Sequence, residues 1–304
     1  MGNLALVFAL VASAHTISRA ADASGQWVAP AASNSAMELH FIGVTAANWH
    51  SAFEFYTKRL GVRVNATNPA LGNWAQLGAG GDDYWSGISR SMTFELFDGG
   101  PPGKKERRWG HKQGFRPGIQ VENLDAMVAA ARARGVPFTG EIEQTDWGRR
   151  IEFTAPDDVR WTLSEARSRP ADSDLAEPLI GHVEIKAHDV AGQKAFYRDV
   201  MGLHLESENA RCIILGQGPG KPWLTIEPGG EKQTNSPALA SEPTRGHPIF
   251  ISFMTHHLDQ TAARLRKSGV TILCEVTHHP DWNGTDLIIA DVDGNAIQVV
   301  QYGR

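Results

Sequence analysis

The sequence predicts an α+β chain of two tandem domains. Three observations carry that expectation: an internal duplication, two helix-period segments in each copy, and short strand-like runs between turn residues. A repeat constrains a fold more than any local signal, so the duplication comes first. Phe55-Tyr56 followed by Leu60-Gly61-Val62 recurs 141 residues later as Phe196-Tyr197 followed by Gly202-Leu203. Leu124-Asp125 with Gly135-Val136 recurs 134 residues later as Leu258-Asp259 with Gly269-Val270. Asp146-Trp147 recurs 135 residues later as Asp281-Trp282.

The elements within each copy follow from their periods. Leu124, Met127, Val128 and Ala131 share one helical face that Gly135 ends, and Leu258, Ala262 and Leu265 repeat it ahead of Gly269. Ala52, Phe55 and Tyr56, and then Phe196, Tyr197, Val200 and Met201, make another amphipathic helix ending near a glycine in each copy. Strand character lies between the helices, at 91–97, 149–154, 223–227, 249–254 and 286–290, bounded by Gly, Pro and Asp turns. The order is strand, helix, several strands, and then the same again. A strand-helix-strands unit leaves one sheet face uncovered, so such units are expected to pair and curve around a cleft, the natural seat of function.

Composition bounds the function classes. At 304 residues the chain can bury two cores, and with 41% hydrophobic and 21% charged residues it reads as globular. A formal charge of -5 gives no electrostatic reason to expect nucleic acid. The apolar run from Leu4 to Ala14, followed by Ser18-Arg19-Ala20, reads as a signal peptide over 1–20, with an Ala, Ser and Pro linker over 21–36. The n-region lacks Lys and Arg, so a cytoplasmic protein with a disordered start or a short anchor is the alternative to a secreted or periplasmic one. No other segment is long and apolar enough to span a bilayer stably. Two cysteines, Cys212 and Cys274, cannot make a disulfide framework, and no CxxC pattern suggests a structural zinc.

On these residues the chain resembles the vicinal oxygen chelate superfamily, which includes glyoxalase I, extradiol dioxygenases, and the bleomycin and fosfomycin resistance proteins. The resemblance covers 37–166 and 179–302, with 167–178 as a linker. It rests on the duplicated pairs above, on His182, on Phe94-Glu95-Leu96 and Pro156-Asp157, and on the terminal run from Asp291 to Gln298; Asp158 stands where the family usually places glycine. It implies two tandem glyoxalase-type domains, each of paired βαβββ units with curved mixed sheets around a cleft.

In metal-using members, strand positions around the cleft supply His, Glu or Gln ligands. Carried over residue by residue, the first-strand position is His182 in the second copy and Phe41 in the first, with His40 beside it and able to reach the cleft only through a bulge. The remaining positions fall on Glu95, Arg116 and Thr162 in the first copy and on Thr225, Phe250 and Gln298 in the second. A catalytic metal wants at least three protein ligands and an open position, and neither copy offers three at matched positions.

The metal candidates are therefore His182 and Gln298, and the cleft-lining candidates Glu95, Arg116, Trp223 and Phe250. Arg116, placed inward, needs a partner, for which Glu95 is the natural candidate; the pair reads either as a metal-free anchor for a carboxylate or phosphonate ligand or as purely structural. Eight of the twelve histidines lie in the second copy. His188, His204, His256, His257, His278 and His279 read as solvated, and His247 as a substitute ligand. Trp147 and Trp282 read as scaffold packing, the run from Lys104 to Arg108 as a solvated loop, and the glycines of 99–103 and 216–220 as turn formers. Two functions stay open. One is a metal-assisted lyase or dioxygenase acting on a small organic substrate with a divalent zinc, nickel, iron or manganese ion. The other is a metal-free module that sequesters a small hydrophobic or aromatic ligand. The partner in either case is a small molecule, and the chain is expected to be a monomer or homodimer; a first copy that only buttresses the second is a third idea.

Overall fold

The computed structural model describes residues 37–46, 48–67, 73–78, 92–98, 114–156, 159–166, 178–218, 221–232 and 249–303. The expected export segment and linkers, His247, Asp158, the glycines of 99–103 and the basic run from Lys104 to Arg108 lie outside the described residues.

Four βαβββ modules follow one another. The first holds β1 (Glu38–Ala46), α1 (Trp49–Glu54, continued by a π-helical turn over Phe55–Arg59), β2 (Val64–Thr67), β3 (Trp74–Leu77) and β4 (Thr93–Asp98). The second holds β5 (Phe115–Gln120), α2 (Leu124–Ala133), β6 (Phe138–Gln144), β7 (Gly148–Thr154) and β8 (Arg160–Ala166). The third holds β9 (Leu179–Ala187), α3 (Val190–Ala195, with its own π turn over Phe196–Val200), β10 (His204–Glu208), β11 (Ile213–Gly216) and β12 (Trp223–Pro228). The fourth holds β13 (Ile249–Met254), α4 (Leu258–Lys267), β14 (Thr271–His279), β15 (Gly284–Ala290) and β16 (Ala296–Tyr302).

Local chemistry sets the helix limits. Asn48, Asn123 and Asp189 each accept a hydrogen bond from the backbone N–H three residues on, satisfying a donor that the first helical turn leaves open. Gly135 and Gly269 take φ of +79° and +73°, which lets the amides of Val136 and Val270 turn back onto Ala131 and Leu265.

The modules pair across the two sequence halves. One eight-stranded sheet runs β14-β15-β16-β13-β1-β4-β3-β2, joining the fourth module to the first; the other runs β10-β11-β12-β9-β5-β8-β7-β6, joining the third to the second. Each sheet therefore takes one module from each half, whereas the sequence reading placed a cleft within each half. The two π turns show what holds this exchange. Phe55 and Phe196 are 4% and 5% exposed, and Tyr56 and Tyr197 are fully buried, so the duplicated Phe-Tyr pairs have equivalent settings. Tyr56, from the first sheet's module, accepts a 2.9 Å hydrogen bond from the Trp161 indole of β8 in the second sheet. Tyr197, from the second sheet's module, donates at 3.1 Å to Asp291, which follows β15 of the first. One apolar core consequently spans both sheets. Cys212 and Cys274 are free, and no helix among the described residues is long and apolar enough to cross a membrane.

Candidate functional site

Each sheet turns one face to the shared core and the other away from it. Strand alternation puts every second residue on that other face, and the family positions fall there. In the first sheet, β1 carries a bulge: its register jumps from Leu39 opposite Phe253 to Phe41 opposite Ser252, so the extra residue is His40, the bulge on which its access depended. Leu39 stays in the main core, while Phe41 joins Phe250, Ile288 and Ala296 in a separate apolar cluster. Across the strands run Gln298, Ser252, Phe41 and Thr93, and beside them Phe250, Gly43, Glu95 and Gln76. The Phe250 ring lies over Gly43, where a Cβ would stand 2.0 Å from its Cζ.

The polar groups of this face hold one another in fixed orientations. Asp286 accepts from Gln298 Nε2 at 2.7 Å and faces His279 Nε2 at 3.0 Å. His279 stacks on Trp282 with ring centres 4.9 Å apart, Trp282 meets Tyr302 at 5.7 Å, and Tyr302 meets His40 at 5.5 Å. Trp74 Nε1 donates to Glu95 at 3.1 Å. Burial lowers the His40 imidazole to about 4, which keeps it neutral near pH 7. Gln298 Oε1, Ser252 Oγ, Thr93 Oγ1 and Gln76 Nε2 are buried without a hydrogen-bond partner among the described residues.

The second sheet presents a different surface. His182 lies over Gly118, where a Cβ would stand 1.9 Å from its Cε1; it stacks on Trp223 at 5.2 Å and takes the edge of Trp147 at 4.7 Å. Its Nε2 is 3.4 Å from Glu184, which is fully buried. Arg150 Nη1 reaches Glu184 at 2.8 Å and Glu227 at 3.2 Å, and its Nε faces Glu143 at 3.4 Å. Arg116 pairs with Glu152 and stands 3.6 Å from Glu184, and Lys186 pairs with Glu227. Burial alone would raise the Glu184 carboxyl, but the hydrogen bond and charge of His182, then Arg150 and Arg116, bring it down to about 2. The indole N–H groups of Trp147 and Trp223, the hydroxyls of Thr162 and Thr225, and His182 Nδ1 have no partner among the described residues.

These placements correct several sequence expectations. His182 and Gln298 belong to different sheets and cannot share a metal ion, because the modules that carry them pair with other partners. Glu95 is not the partner of Arg116 for the same reason; Arg116 is satisfied by Glu152 and Glu184, and Glu95 by Trp74. His279 is no solvated turn residue: β14 runs through it to pair with Gly284, which brings its ring onto Asp286. Trp147, read as scaffold, covers His182. His188, His204, His256, His257 and His278 are exposed as expected. Arg150, Glu184, Asp286 and Ser252 were missed, although each lies an even number of residues along its strand from a cleft-facing position or a paired turn.

The family's ligand positions are thus Phe41, Glu95, Phe250 and Gln298 on one face and His182, Thr225, Arg116 and Thr162 on the other. This donor set does not fit a divalent ion in either sheet. Two of the first four are phenyl rings, one lying over the residue beside Glu95, and among the second four a guanidinium stands beside a single imidazole. No group of three or more His, Cys, Asp or Glu arranged to hold a metal occurs among the described residues.

The family model described as Glyoxalase/Bleomycin resistance protein/Dioxygenase superfamily matches residues 38–163 and 179–299. No curated protein matches the sequence. Among solved structures, glyoxalase I from Zea mays is 16% identical with a TM-score of 0.65, over 88% of this chain and 92% of its own. A putative dioxygenase from Bacillus subtilis subsp. subtilis str. 168 is 12% identical with a TM-score of 0.65, over 89% of this chain and 87% of its own. At those identities the two structures share the fold alone, but the family match spans most of both sequence halves. The chain belongs to the glyoxalase/bleomycin resistance protein/dioxygenase superfamily.

Proposed function

We propose that this protein is a metal-free binding module for a small aromatic ligand, held on the outward face of the first sheet. One observation carries the reading: phenyl rings occupy two of the four family ligand positions there, while Gln298 Oε1 and Ser252 Oγ beside them are buried without a partner among the described residues. A buried polar atom left unpaired costs about 1–3 kcal/mol, a cost that a bound molecule removes. Phe41, Phe97, Phe250, Trp74 and Tyr302 supply flat apolar surface for an aromatic body. With an export segment expected over 1–20, the reading extends to a secreted or periplasmic protein whose mature chain begins after Ala20, which N-terminal sequencing checks.

The competing reading is a metal-assisted lyase or dioxygenase, which needs His40, Glu95 and Gln298 to converge on one ion past the Phe250 ring. Thermal unfolding with saturating 2-methoxynaphthalene, before and after EDTA, separates the two. A rise in Tm that EDTA leaves unchanged, in protein with substoichiometric divalent metal, supports the proposal. Stoichiometric metal that is lost in Glu95→Ala, or stabilisation that EDTA abolishes, sinks it.

A further inference from the structure

We propose that the first sheet selects aromatic ligands bearing an N–H or O–H donor, with Gln298 and Ser252 as the residues that set this specificity. The inference rests on the metal-free reading of the same face and adds the polarity of the group recognised there. It begins at Asp286. A carboxylate only accepts hydrogen bonds, so the 2.7 Å contact fixes the Gln298 amide with its NH2 on Asp286 and its carbonyl pointing away. His279 on the other carboxylate oxygen completes that anchor. Gln298 Oε1 is therefore an acceptor in a side chain 5% exposed, without a partner among the described residues, and it cannot become a donor by flipping. Its neighbour across the strands, Ser252, is fully buried with a hydroxyl that has no partner among the described residues and can accept as well.

Charge points the same way. None of the eight strands of the first sheet contains Lys or Arg, whereas the second sheet's strands carry Arg116, Arg149, Arg150, Arg160 and Lys186. Glu95 and Asp286 stand on the first sheet's outward face, so an arylcarboxylate there would meet two carboxylates and, among the described strand residues of that sheet, no Lys or Arg. A phenol or an arylamine instead brings its ring to Phe41 and Phe250 and its hydrogen to Gln298 Oε1.

Calorimetric titration of the full chain with 2-naphthol, 2-methoxynaphthalene and 2-naphthoate tests this, since the three share one ring system and differ in the group that meets Gln298. We expect 2-naphthol to bind about tenfold more tightly than 2-methoxynaphthalene, the value of one net buried hydrogen bond. 2-Naphthoate is expected to bind more weakly than either. In Gln298→Met and in the milder Ser252→Ala, the preference for the naphthol falls towards unity. Equal binding of naphthol and methoxynaphthalene by the wild type, tighter binding of naphthoate, or a preference that survives both substitutions overturns the inference while leaving the metal-free reading intact. Failure of all three to bind overturns both.

Discussion

The two sheets are built from the same modules in the same order, yet equivalent positions carry opposite chemistry. Each of the following pairs names the first sheet's residue before the second's. Phe41 corresponds to His182, Gly43 to Glu184, Phe97 to Glu227, Phe250 to Arg116 and Asp286 to Arg150, as the strand registers require. One face became aromatic and weakly acidic. The other became a lattice of ion pairs with a histidine held under two tryptophans. Duplication conserved what the core needs, the buried Phe-Tyr pairs and the glycines after the helices, and left the outward positions free to diverge. Geometry thus says where a ligand can sit in either sheet, and side-chain chemistry says that the two cannot take the same one.

The largest expected effect lies in the ion lattice. Arg150→Met leaves the fully buried Glu184 and its neighbour Glu227 short of a cation, and stranding a buried charge costs about 3–5 kcal/mol. At the equivalent position of the first sheet, Asp286→Asn retains an oxygen to accept from Gln298 and should cost about 1 kcal/mol. Urea unfolding of both variants checks the contrast. Equal losses would mean that the lattice is no more integral to its sheet than Asp286 is to the other.

Acid should separate the faces next. His40 titrates at about 4 in the folded chain and 6.5 unfolded, so the unfolded state takes up the proton first; stability is full above pH 6.5 and declines as pH falls towards 4. The shift corresponds to about 3 kcal/mol. Glu184 is depressed from 4.5 to about 2, so its contribution is present above pH 4.5 and is lost as pH falls from there towards 2. Unfolding free energy measured from pH 7 to 5 should therefore flatten in His40→Phe, whereas Glu184→Gln should leave that slope in place. A slope unchanged in His40→Phe would remove His40 as its source.

Much of this was legible in the sequence, and the rest was hidden for identifiable reasons. Carrying over the family's first-strand position gave His182 and Phe41, which stand at equivalent places in the two sheets, and the alternative at His40 was tied to a bulge that the register contains. The repeat shows which segments are alike, but hydrophobic period carries no record of which module pairs with which, so the exchange between halves was not readable. Both errors about partners, His182 with Gln298 and Glu95 with Arg116, descend from that one gap. Glu184 could have been found by alternation, standing two residues beyond His182 on the first strand of its copy, and Asp286 opens the strand expected over 286–290. His279 was masked by Pro280, whose turn signal outweighed the strand that precedes it.

The sharpest effects for the comparison lie at the two glycines. Gly43→Ala would set a Cβ 2.0 Å from the Phe250 ring, and Gly118→Ala one 1.9 Å from His182, so each ring must move at a cost of about 1–3 kcal/mol. The two rings have different freedom to do so. Phe250 packs in an apolar cluster with Phe41, Ile288 and Ala296 and holds no polar contact among the described residues, whereas His182 sits against Trp223 and Trp147 with its Nε2 3.4 Å from Glu184. Gly118→Ala should therefore be the more destabilising of the pair, and Gly43→Ala should chiefly reshape the aromatic face, lowering affinity for 2-methoxynaphthalene while sparing most of the stability. The reverse ranking, with Gly43→Ala the more damaging to the fold, would show that the Phe250 ring serves the sheet's packing more than it serves a ligand, and the case for an aromatic site on the first sheet would weaken with it.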